Sequence, residues 1–416
     1  MKIKIHPSRI SGTVAAPPSK SFAHRLIIAA CLSGGRKTVK NTGDSKDVQA
    51  TVRALTALGA DCCLSGGDFV TNGFSPVKNA LADCGESGST LRFLIPVAAA
   101  LGADAAFTGT EKLLSRPCGA LIDCLKTHGV TADGFKFTGR LSGGTFVIDG
   151  GISSQYVTGL LFAAPLTGQD CEIVVTGKEV SKPYIEITLA VLEKSGITVK
   201  RTKNGFFIPK GQKYALPDVT ETEGDWSGAA FTLAAGAIGG SVTVTGLNPE
   251  SMQGDRKIAE ILSRFGASVT FSDGAVTAKP SGDGTLKGVT VDCAEIPDLA
   301  QIIAVTAAFA QGKTVLLGTE NLKYKESDRT AAIINTLAAA GIKAETDGRS
   351  ITVYGGAPKG FTADSGNDHR TAMSAAVLAA YSDGESVIDR AEAVDKSYPA
   401  FYEDMKKTGG IIDVLI

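Results

Sequence analysis

The sequence of 416 residues has almost no net charge, because 42 Lys and Arg stand against 43 Asp and Glu. A chain without excess positive charge has no overall field that attracts nucleic acid or an anionic membrane surface. Long hydrophobic runs are also missing, since the longest candidate, Phe231–Gly240, is too short to span a bilayer and ends in two glycines. We therefore expect no nucleic-acid or membrane partner, and any anion site must come from local placement of cations.

Closely spaced cysteines and histidines are scarce as well. None of the eight cysteines belongs to a Cys-x-x-Cys pair, and the chain has only four histidines. This argues against a structural zinc site and against a disulfide framework, so we expect a reducing, cytoplasmic location and no bound metal. The first residues, Met1–Ile5, alternate Lys and Ile as a strand does and show no signal-peptide core.

What the chain does contain is a repeat. Six times, an Ala- and Leu-rich helical pattern ends in Gly, a Val-rich strand follows, and a second helical pattern also ends in Gly. The first glycines are Gly34, Gly102, Gly168, Gly240, Gly312 and Gly384, and the second are Gly59, Gly129, Gly196, Gly266, Gly341 and Gly409. Because Gly is expected just after a helix, each unit reads helix–strand–helix–strand–strand, which favours an α/β architecture.

Six such units exceed what one hydrophobic core usually holds, so we predict two domains of three units each. The boundary falls near Glu221–Gly224, where acidic and small residues interrupt the pattern. The predicted domains are residues 17–221 and residues 1–16 with 222–416. This division supposes that the amino-terminal segment returns to complete a strand of the second domain.

Basic residues recur at the starts of the predicted second helices, beside residues able to cap a helix. The densest case is Leu322–Arg329, with three cations and two carboxylates and with Ser327 or Asp328 as the predicted cap. Equivalent stretches are Ser45-Lys46-Asp47, Ser115-Arg116-Pro117, Ser181-Lys182-Pro183-Tyr184, Asp255-Arg256 and Lys396-Ser397-Tyr398-Pro399. Helix N-termini present free N–H groups and partial positive charge, so these starts predict an anion-binding cleft.

The first helices start in comparable ways, and each start also has a plain structural explanation. The stretches are Ser19-Lys20-Ser21, Gly85–Thr90, Ser153-Ser154-Gln155, Asp225-Trp226-Ser227, Pro297-Asp298 and Asp368-His369-Arg370. Asp298 fits a helix cap or a general base equally well, and His369 with Arg370 fits a helix-start ion pair with Asp368. Gly85–Thr90 suits a phosphate but lacks the Gly-Lys-Ser/Thr ending of a Walker A loop. Cys118 is expected to be a packing residue.

In order along the chain, nine motifs match one known family. They are Pro17-Pro18-Ser19-Lys20-Ser21 with Arg25, Gly85–Arg92, Arg116-Pro117, Ser153-Ser154-Gln155, Ser181-Lys182-Pro183-Tyr184, Ile296-Pro297-Asp298, Asn321 with Lys325–Arg329, Asp368-His369-Arg370, and Lys396. On these residues the chain resembles the EPSP synthase (3-phosphoshikimate 1-carboxyvinyltransferase) family from end to end. The resemblance implies an α/β fold of two similar domains, each of three βαβαββ repeat units, with an active-site cleft at the hinge.

The resemblance also implies the reaction. The family transfers the enolpyruvyl group of phosphoenolpyruvate to the 5-hydroxyl of shikimate 3-phosphate, without metal or organic cofactor. Shikimate 3-phosphate would be held by Lys20, Ser21, Arg25, Ser153, Ser154, Gln155, Ser181, Tyr184, Asp298, Asn321 and Lys325. Phosphoenolpyruvate would be held by Lys20, Gly88, Arg116, Gln155, Arg329, Arg370 and Lys396.

The chemistry suggests a division of roles among four residues implied by the resemblance. Glu326 would exchange the proton at the methylene and methyl carbon, and Asp298 would accept or orient the proton of the 5-hydroxyl. Lys20 would stabilise the bridging phosphate oxygen, with His369 in a supporting role. Where many members have Asn-Ala-Gly-Thr, this chain has Glu86-Ser87-Gly88-Ser89, which puts sensitivity to the family inhibitor glyphosate in doubt.

Two other functions compete with this prediction. The sister transferase that acts on UDP-N-acetylglucosamine typically has Lys-Asn where this chain has Lys20-Ser21, and it carries a Cys in a loop where Glu111–Ser115 has none. A non-catalytic repeat scaffold for nucleic acid is disfavoured by the charge of −1 and by the lack of interleaved aromatic residues. We therefore expect small-molecule substrates and a monomeric protein.

Overall fold

A computed structural model describes residues 1–177 and 180–415 of the chain. Its elements pack into two units. The central unit comprises Lys20–Thr222, and the split unit comprises Met1–Ser19 together with Glu223–Ile416. Each unit has its own hydrophobic core.

The elements of the first half alternate between strands and helices, as the repeat predicts. The amino-terminal segment of the split unit forms β1 (Lys2–His6) and β2 (Ser11–Ala15). The central unit then contains α1 (Lys20–Leu32), β3 (Lys37–Lys40), α2 (Lys46–Leu58), β4 (Ala60–Ser65), β5 (Asp68–Phe74), β6 (Ala80–Asp83), α3 (Gly88–Leu101), β7 (Ala105–Thr108), α4 (Glu111–Leu114), α5 (Gly119–Lys126), β8 (Val130–Asp133), β9 (Lys136–Gly139), β10 (Gly144–Asp149), α6 (Ser154–Ala163), β11 (Cys171–Thr176), α7 (Lys182–Lys194), β12 (Lys200–Thr202), β13 (Gly205–Ile208) and β14 (Val219–Glu221).

The second half of the chain repeats the same alternation in the split unit. It contains α8 (Trp226–Gly239), β15 (Ser241–Thr245), α9 (Ile258–Phe265), β16 (Ser268–Ser272), β17 (Ala275–Lys279), β18 (Leu286–Lys287), β19 (Thr290–Asp292), α10 (Ala300–Ala308), β20 (Ala310–Gln311), β21 (Lys313–Leu317), α11 (Arg329–Ala339), β22 (Ala344–Thr346), β23 (Ser350–Tyr354), β24 (Thr362–Asp364), α12 (His369–Tyr381), β25 (Ser386–Asp389), α13 (Phe401–Lys407) and β26 (Ile411–Leu415). Short 3-10 turns lie at Ala164–Thr167, Gly254–Lys257, Pro297–Leu299, Leu322–Tyr324 and Ala391–Lys396.

Six four-stranded sheets share one topology within the described residues, and β18 with β20 forms a small additional pair. In the sheet β6-β7-β9-β8, the strands β6 and β7 are parallel, and β9 joins β7 and β8 in antiparallel pairing. The parallel pair is connected through α3, and the hairpin follows α5, so the unit is βαβαββ. The predicted α/β fold class of repeated βαβαββ units is confirmed.

Three of the sheets are completed by strands from distant parts of the sequence. β14 pairs in parallel with β3. It supplies the first strand of that repeat, because the central unit begins at α1. β2 does the same for β15, with Val14 opposite Val244, and β1 lies between β25 and β26. The amino-terminal segment thus supplies strands to two sheets of the split unit.

The first helices of the repeats form the core of the split unit. α8, α10 and α12 pack against one another, and beyond the first turn none of them carries a charged residue. The second helices bury only one face, as α9 shows with Ile258, Ile261 and Leu262 at helical spacing. Charged side chains of α8, α10 and α12 are therefore confined to the helix starts.

Glycine backbone angles match the predicted repeat. All six glycines of the second series have positive φ, as do five of the first series, whereas Gly240 has φ of −123°. In the core of the central unit, Gly159 of α6 has a different purpose: an added Cβ would lie 2.3 Å from the carbonyl oxygen of Arg92 in α3. Glycine at this position allows the two helices to pack directly against each other.

None of the helices in residues 1–177 and 180–415 combines the length and the apolar character needed to cross a bilayer.

Candidate active site

The predicted capping pattern is only partly correct. Among the second helices, Ser45 caps α2 and Asp328 caps α11 through side-chain acceptance of a backbone N–H. The prediction is wrong at the other four starts, where Ser115 ends α4, Ser181 makes no cap bond, Asp255 lies inside a 3-10 turn, and α13 begins only after Ala400. At three of these starts the basic residue, Arg116, Arg256 or Lys396, lies before the helix, whereas Lys182 opens α7.

The first helices are capped more regularly. Ser87, Ser153, Asp225 and Asp368 each accept a backbone N–H at the start of their helix. Asp298 is not a cap, because it lies within the 3-10 turn that precedes α10. Cys118 is buried and burial raises the pKa of its thiol, in agreement with a packing role.

In the central unit, Arg25 of α1 is held by neutral groups. Its guanidinium donates to the hydroxyl of Thr188 (2.8 Å), to the carbonyl oxygen of Ser21 (2.7 Å) and to that of Tyr184 (3.0 Å). The side chain is 2% exposed, and burial lowers the pKa of Arg25 to about 9. The contacts orient a buried cation without neutralising its charge, which leaves it suited to an anionic ligand.

Two more arginines, Arg92 and Arg116, surround the start of α3. Arg92 donates to Gln155 Oε1 (2.7 Å) and to the carbonyl oxygen of Pro117 (2.9 Å). A Cβ added at Gly88 would lie 2.9 Å from Nη1 of Arg92 and 2.9 Å from Nη1 of Arg116. The Gln155 amide also donates to Ser89 (3.1 Å). Gly88, Arg116 and Gln155, predicted from the resemblance, are thus brought together around Arg92.

The remaining predicted residues of the central unit lie at helix starts. Lys20 opens α1 and pairs with Asp47 of α2 at 2.7 Å, both side chains being largely buried. Ser21 joins Arg25 through its carbonyl oxygen, and Tyr184 does so from the first turn of α7. Ser154 is buried at the start of α6 after the half-buried Ser153, and Ser181 precedes α7 with φ of +56°. Lys20, Arg25, Gly88, Arg92, Arg116 and Gln155 are called the central cluster below.

In the split unit, Arg329 is the hub of a group of carboxylates. It opens α11, is 1% exposed, and donates to Asp298 (2.7 Å), Glu326 (2.7 Å) and Asp368 (2.8 Å). Burial alone would lower the pKa of Arg329, but the three carboxylates raise it well above its ordinary value. Asp298, Glu326, Arg329, Asp368 and Arg370 are called the carboxylate cluster below.

Asp298 joins two arginines of this cluster. Its second oxygen accepts from Arg370 at 2.8 Å, so the carboxylate bridges α11 and α12. Behind it lies Asp255, which is 3% exposed and accepts from the Ser227 hydroxyl through one oxygen. Burial, and then the negative charge of Asp298, raise the pKa of Asp255 to about 7. Asp255 and the adjoining carboxylate cluster therefore present carboxyl groups in different environments, as acid–base chemistry requires.

The other predicted residues of the split unit lie around these groups. His369 is buried next to Asp368, with 3.9 Å between Nδ1 and Oδ1, which supports the helix-start ion pair. Lys396 is buried and donates to the carbonyl oxygen of Asn367, beside the cap of α12. Asn321 and Lys325 flank the 3-10 turn before α11 and are half-buried.

The resemblance missed four residues that the structure places in direct contact with predicted ones: Asp47, Arg92, Asp255 and Asp368. Arg92 had a signal, because it is four residues from Gly88 on one helix face. Asp368 was considered only as an ion-pair partner of His369, whereas it also holds Arg329 and accepts from Ser327 at 3.0 Å. Burial by itself would raise the pKa of Asp368, but the charges of Arg329 and His369 lower it below its ordinary value.

No group of three or more His, Cys, Asp or Glu side chains in the described part of the chain is arranged to hold a metal ion.

Two solved structures share the fold of this chain. An EPSP synthase from Acinetobacter baumannii matches with a TM-score of 0.83 at 24% identity and covers 100% of both chains. The enolpyruvyl transferase NikO from Streptomyces tendae matches with a TM-score of 0.78 at 19% identity, covering 99% of this chain and 98% of that one. The fold is that of the enolpyruvyl transferases.

Sequence comparison identifies the family. The family model for EPSP synthase (3-phosphoshikimate 1-carboxyvinyltransferase) matches residues 5–405. Proteins named 3-phosphoshikimate 1-carboxyvinyltransferase are 38% identical in Clostridium kluyveri, covering 99% of this chain and 98% of that protein, and 38% identical in Methanocorpusculum labreanum, covering 98% and 99%. The chain belongs to the EPSP synthase family, which confirms the predicted family and enzyme class.

Proposed function

We propose that this protein transfers the enolpyruvyl group of phosphoenolpyruvate to the 5-hydroxyl of shikimate 3-phosphate and releases phosphate. Its membership of the EPSP synthase family carries the reaction, and its substrates are small molecules. The observation that carries the chemistry is that one buried guanidinium, Arg329, holds both Asp298 and Glu326 at 2.7 Å. A general acid and a general base are thereby fixed beside cations that suit an anionic substrate.

The proposed addition step balances two proton transfers. Glu326 donates a proton to the methylene carbon of phosphoenolpyruvate, while the 5-hydroxyl oxygen forms a bond to the neighbouring carbon and its proton passes to Asp298. The product is a tetrahedral adduct that still carries the phosphate. Lys20, whose ammonium is oriented by Asp47 at 2.7 Å, stabilises the bridging phosphate oxygen, and His369 supports the charge on Asp368.

The elimination step then requires removal of a proton from the carbon that was protonated in the addition step. Glu326 removes a proton from the methyl group, the carbon–oxygen bond to phosphate breaks, and the enol ether forms. The leaving phosphate takes up the proton that Asp298 received in the addition step, so both carboxyl groups return to their starting states. The same carboxyl group of Glu326 acts once as acid and once as base, and the hydrogen bond from Arg329 fixes its position.

We assign each substrate to residues of both clusters. Shikimate 3-phosphate is assigned to Lys20, Ser21, Arg25, Ser153, Ser154, Gln155, Ser181, Tyr184, Asp298, Asn321 and Lys325, and phosphoenolpyruvate to Lys20, Gly88, Arg116, Gln155, Arg329, Arg370 and Lys396. Arginine suits both phosphate and carboxylate because its planar fork binds two oxygens at once. We further propose that the predicted domains correspond to the central and split units, that the protein is a monomer, and that it works in the cytoplasm.

The test is release of phosphate from phosphoenolpyruvate by the purified protein. The reaction is run with shikimate 3-phosphate, with UDP-N-acetylglucosamine, and with neither acceptor. Release that depends on shikimate 3-phosphate is the expected result. Release only with the nucleotide sugar, or none from folded protein, would overturn the proposed function.

A further inference from the structure

A chain of buried polar side chains runs through the central unit, apart from the residues assigned to binding. His24 Nδ1 lies 2.6 Å from Thr51 Oγ1, which lies 2.6 Å from Thr90 Oγ1, and Thr90 donates to Ser87 Oγ at 2.7 Å. All four side chains are at most 1% exposed. We call these four residues the hydroxyl chain.

Each hydrogen bond of the hydroxyl chain is donated in the same direction, from His24 towards Ser87. Because the Thr90 hydroxyl gives its proton to Ser87, it can only accept from Thr51. The Thr51 proton is then committed, so Thr51 accepts from His24, whose Nδ1 must carry a hydrogen. The imidazole is therefore the Nδ1–H tautomer, and its Nε2 has no hydrogen-bond partner among the described residues.

A neutral His24 is consistent with its surroundings. Burial, and then the positive charges of Lys20 and Arg25, lower the pKa of His24 well below its usual range. A second proton would place an unpaired donor in the core at Nε2, which is costly. The direction of the chain is thus built into the fold at neutral pH.

The hydroxyl chain connects the starts of three helices of the central unit. His24 is on α1 next to Arg25, and Thr51 is on α2, one turn after Asp47, the partner of Lys20. Ser87 and Thr90 lie at the start of α3, where Ser87 also accepts the backbone N–H of Thr90 at 3.2 Å and so caps the helix that begins at Gly88. Gly88 is the residue that lies against Arg92 and Arg116.

We propose that His24 and Thr51 are positioning residues for the phosphoenolpyruvate site, acting through Thr90 and Ser87 on the start of α3. The hydroxyl chain fixes the position of the Gly88 backbone next to the guanidinium groups of Arg92 and Arg116. This inference rests on the proposed function, because it assigns the end of the chain to the enolpyruvyl donor.

The test compares steady-state kinetics of Thr51→Val with those of the parent. The substitution keeps the shape of the side chain and removes the link between His24 and Thr90. We expect the KM for phosphoenolpyruvate to rise about tenfold, the effect of about one buried hydrogen bond. We expect kcat and the KM for shikimate 3-phosphate to change less than about threefold. Thr51→Ser keeps the hydroxyl and should restore the KM for phosphoenolpyruvate.

The matched control is Thr306→Val in α10 of the split unit. Thr306 is as deeply buried as Thr51, but its hydroxyl donates only to the carbonyl oxygen of Ile302 in its own helix (2.9 Å). Equal kinetic changes in the two valine variants, or a Thr51→Ser variant as impaired as Thr51→Val, would overturn the inference. If Thr51→Val does not fold, Thr51→Cys replaces it, since a thiol fits the same space and bonds more weakly, and the same split between the two KM values is expected.

The outcomes separate the inference from the proposed function. A parent protein that releases no phosphate with shikimate 3-phosphate contradicts the function, whatever the variants do. A parent that turns over normally, with variants that show no selective change in the KM for phosphoenolpyruvate, contradicts the positioning role alone.

Discussion

The two clusters hold buried arginines in opposite ways. In the central cluster, Arg25 is held by hydroxyl and carbonyl oxygens, and its pKa falls to about 9. In the carboxylate cluster, Arg329 is held by three carboxylates, and its pKa rises well above the ordinary value. Both side chains are almost completely buried, so the difference lies in the partners and not in the depth.

The difference concerns what each arginine fixes. A cation held by neutral groups keeps its charge available for a phosphate or carboxylate. A cation held by carboxylates fixes acids and bases at known positions and shares its charge with them. We therefore expect substitution of the carboxylates around Arg329 to change kcat or stability, and substitution of Gly88 in the central cluster to change substrate affinity.

The largest expected effect is that of Glu326→Gln on kcat. The amide keeps a contact with Arg329 but cannot exchange the proton at carbon, so kcat should fall by about 10²- to 10⁴-fold. The measurement is phosphate release at saturating substrates. Glu320→Gln, an exposed position six residues earlier, is the control and should stay within about twofold of the parent. Near-normal turnover by Glu326→Gln would remove this residue from the mechanism.

The loss of protein stability when each arginine is replaced offers the most direct comparison. Arg329→Met removes the cation that three carboxylates share, although Asp298 keeps its ion pair with Arg370, and it should lower the free energy of unfolding by about 3–5 kcal/mol. Arg25→Met leaves only neutral groups unpaired and should cost about 1–3 kcal/mol. Urea unfolding followed by circular dichroism covers both variants, and fluorescence of the single, buried Trp226 reports on the split unit. Equal losses in the two variants would contradict the contrast between the clusters.

Gly88→Ala tests the geometry of the central cluster. Its methyl group would meet Nη1 of Arg92 and of Arg116 at 2.9 Å, and both flexible side chains must shift. The KM for phosphoenolpyruvate should rise about tenfold while stability changes by less than about 1 kcal/mol. Gly119→Ala in α5 has open space around the added carbon and serves as the control. An unchanged KM in Gly88→Ala would place the donor site elsewhere.

A further expected effect is a pH dependence of stability caused by Asp255. Its pKa is raised to about 7 in the folded protein and is about 3.9 in an unfolded chain. The folded state therefore retains a proton that the unfolded state has released, so this carboxyl group makes stability fall as pH rises from about 4 to about 7 and adds no further change above that. Asp255→Asn should flatten this part of the profile, measured as the urea midpoint of Trp226 fluorescence between pH 5 and pH 8.

The control for this profile is Asp364→Asn in the same unit. Asp364 is exposed and its hydrogen bond with Arg390 lowers its pKa, the opposite direction from Asp255. The Asp364→Asn variant should keep the decline seen in the parent. A parent and an Asp255→Asn variant with the same slope would show that Asp255 does not hold a proton in the folded state.

Much of the fold follows from local sequence signals. The spacing of glycines and Val-rich segments predicted the repeats, because a helix end needs positive φ and a central strand needs buried β-branched side chains, whatever surrounds them. All six glycines of the second series have positive φ. The caps at Ser87 and Asp368 follow from the same local rules.

The site was predictable as a set of residues but not as a set of contacts. The resemblance supplied Asp298, Glu326 and Arg329, yet the helix-cap alternative for Asp298 failed because a 3-10 turn occupies the place where a cap would stand. Asp255 and Arg92 were missed because the sequence around them shows only an ordinary helix start or a helical interior. Their significance depends on partners about 40 to 60 residues away, Asp298 and Gln155.

The sequence by itself determined the family and the repeated βαβαββ unit, since each depends on short-range pattern or on motifs kept in order. Only the tertiary structure decided which arginine meets carboxylates and which meets neutral oxygens. The physical reason is that the ion pairs of Arg329 with Asp298 and Asp368 join separate repeats, and burial sets the charge of each group. The ion pairs and the burial both depend on the packing of helices that are far apart in the sequence.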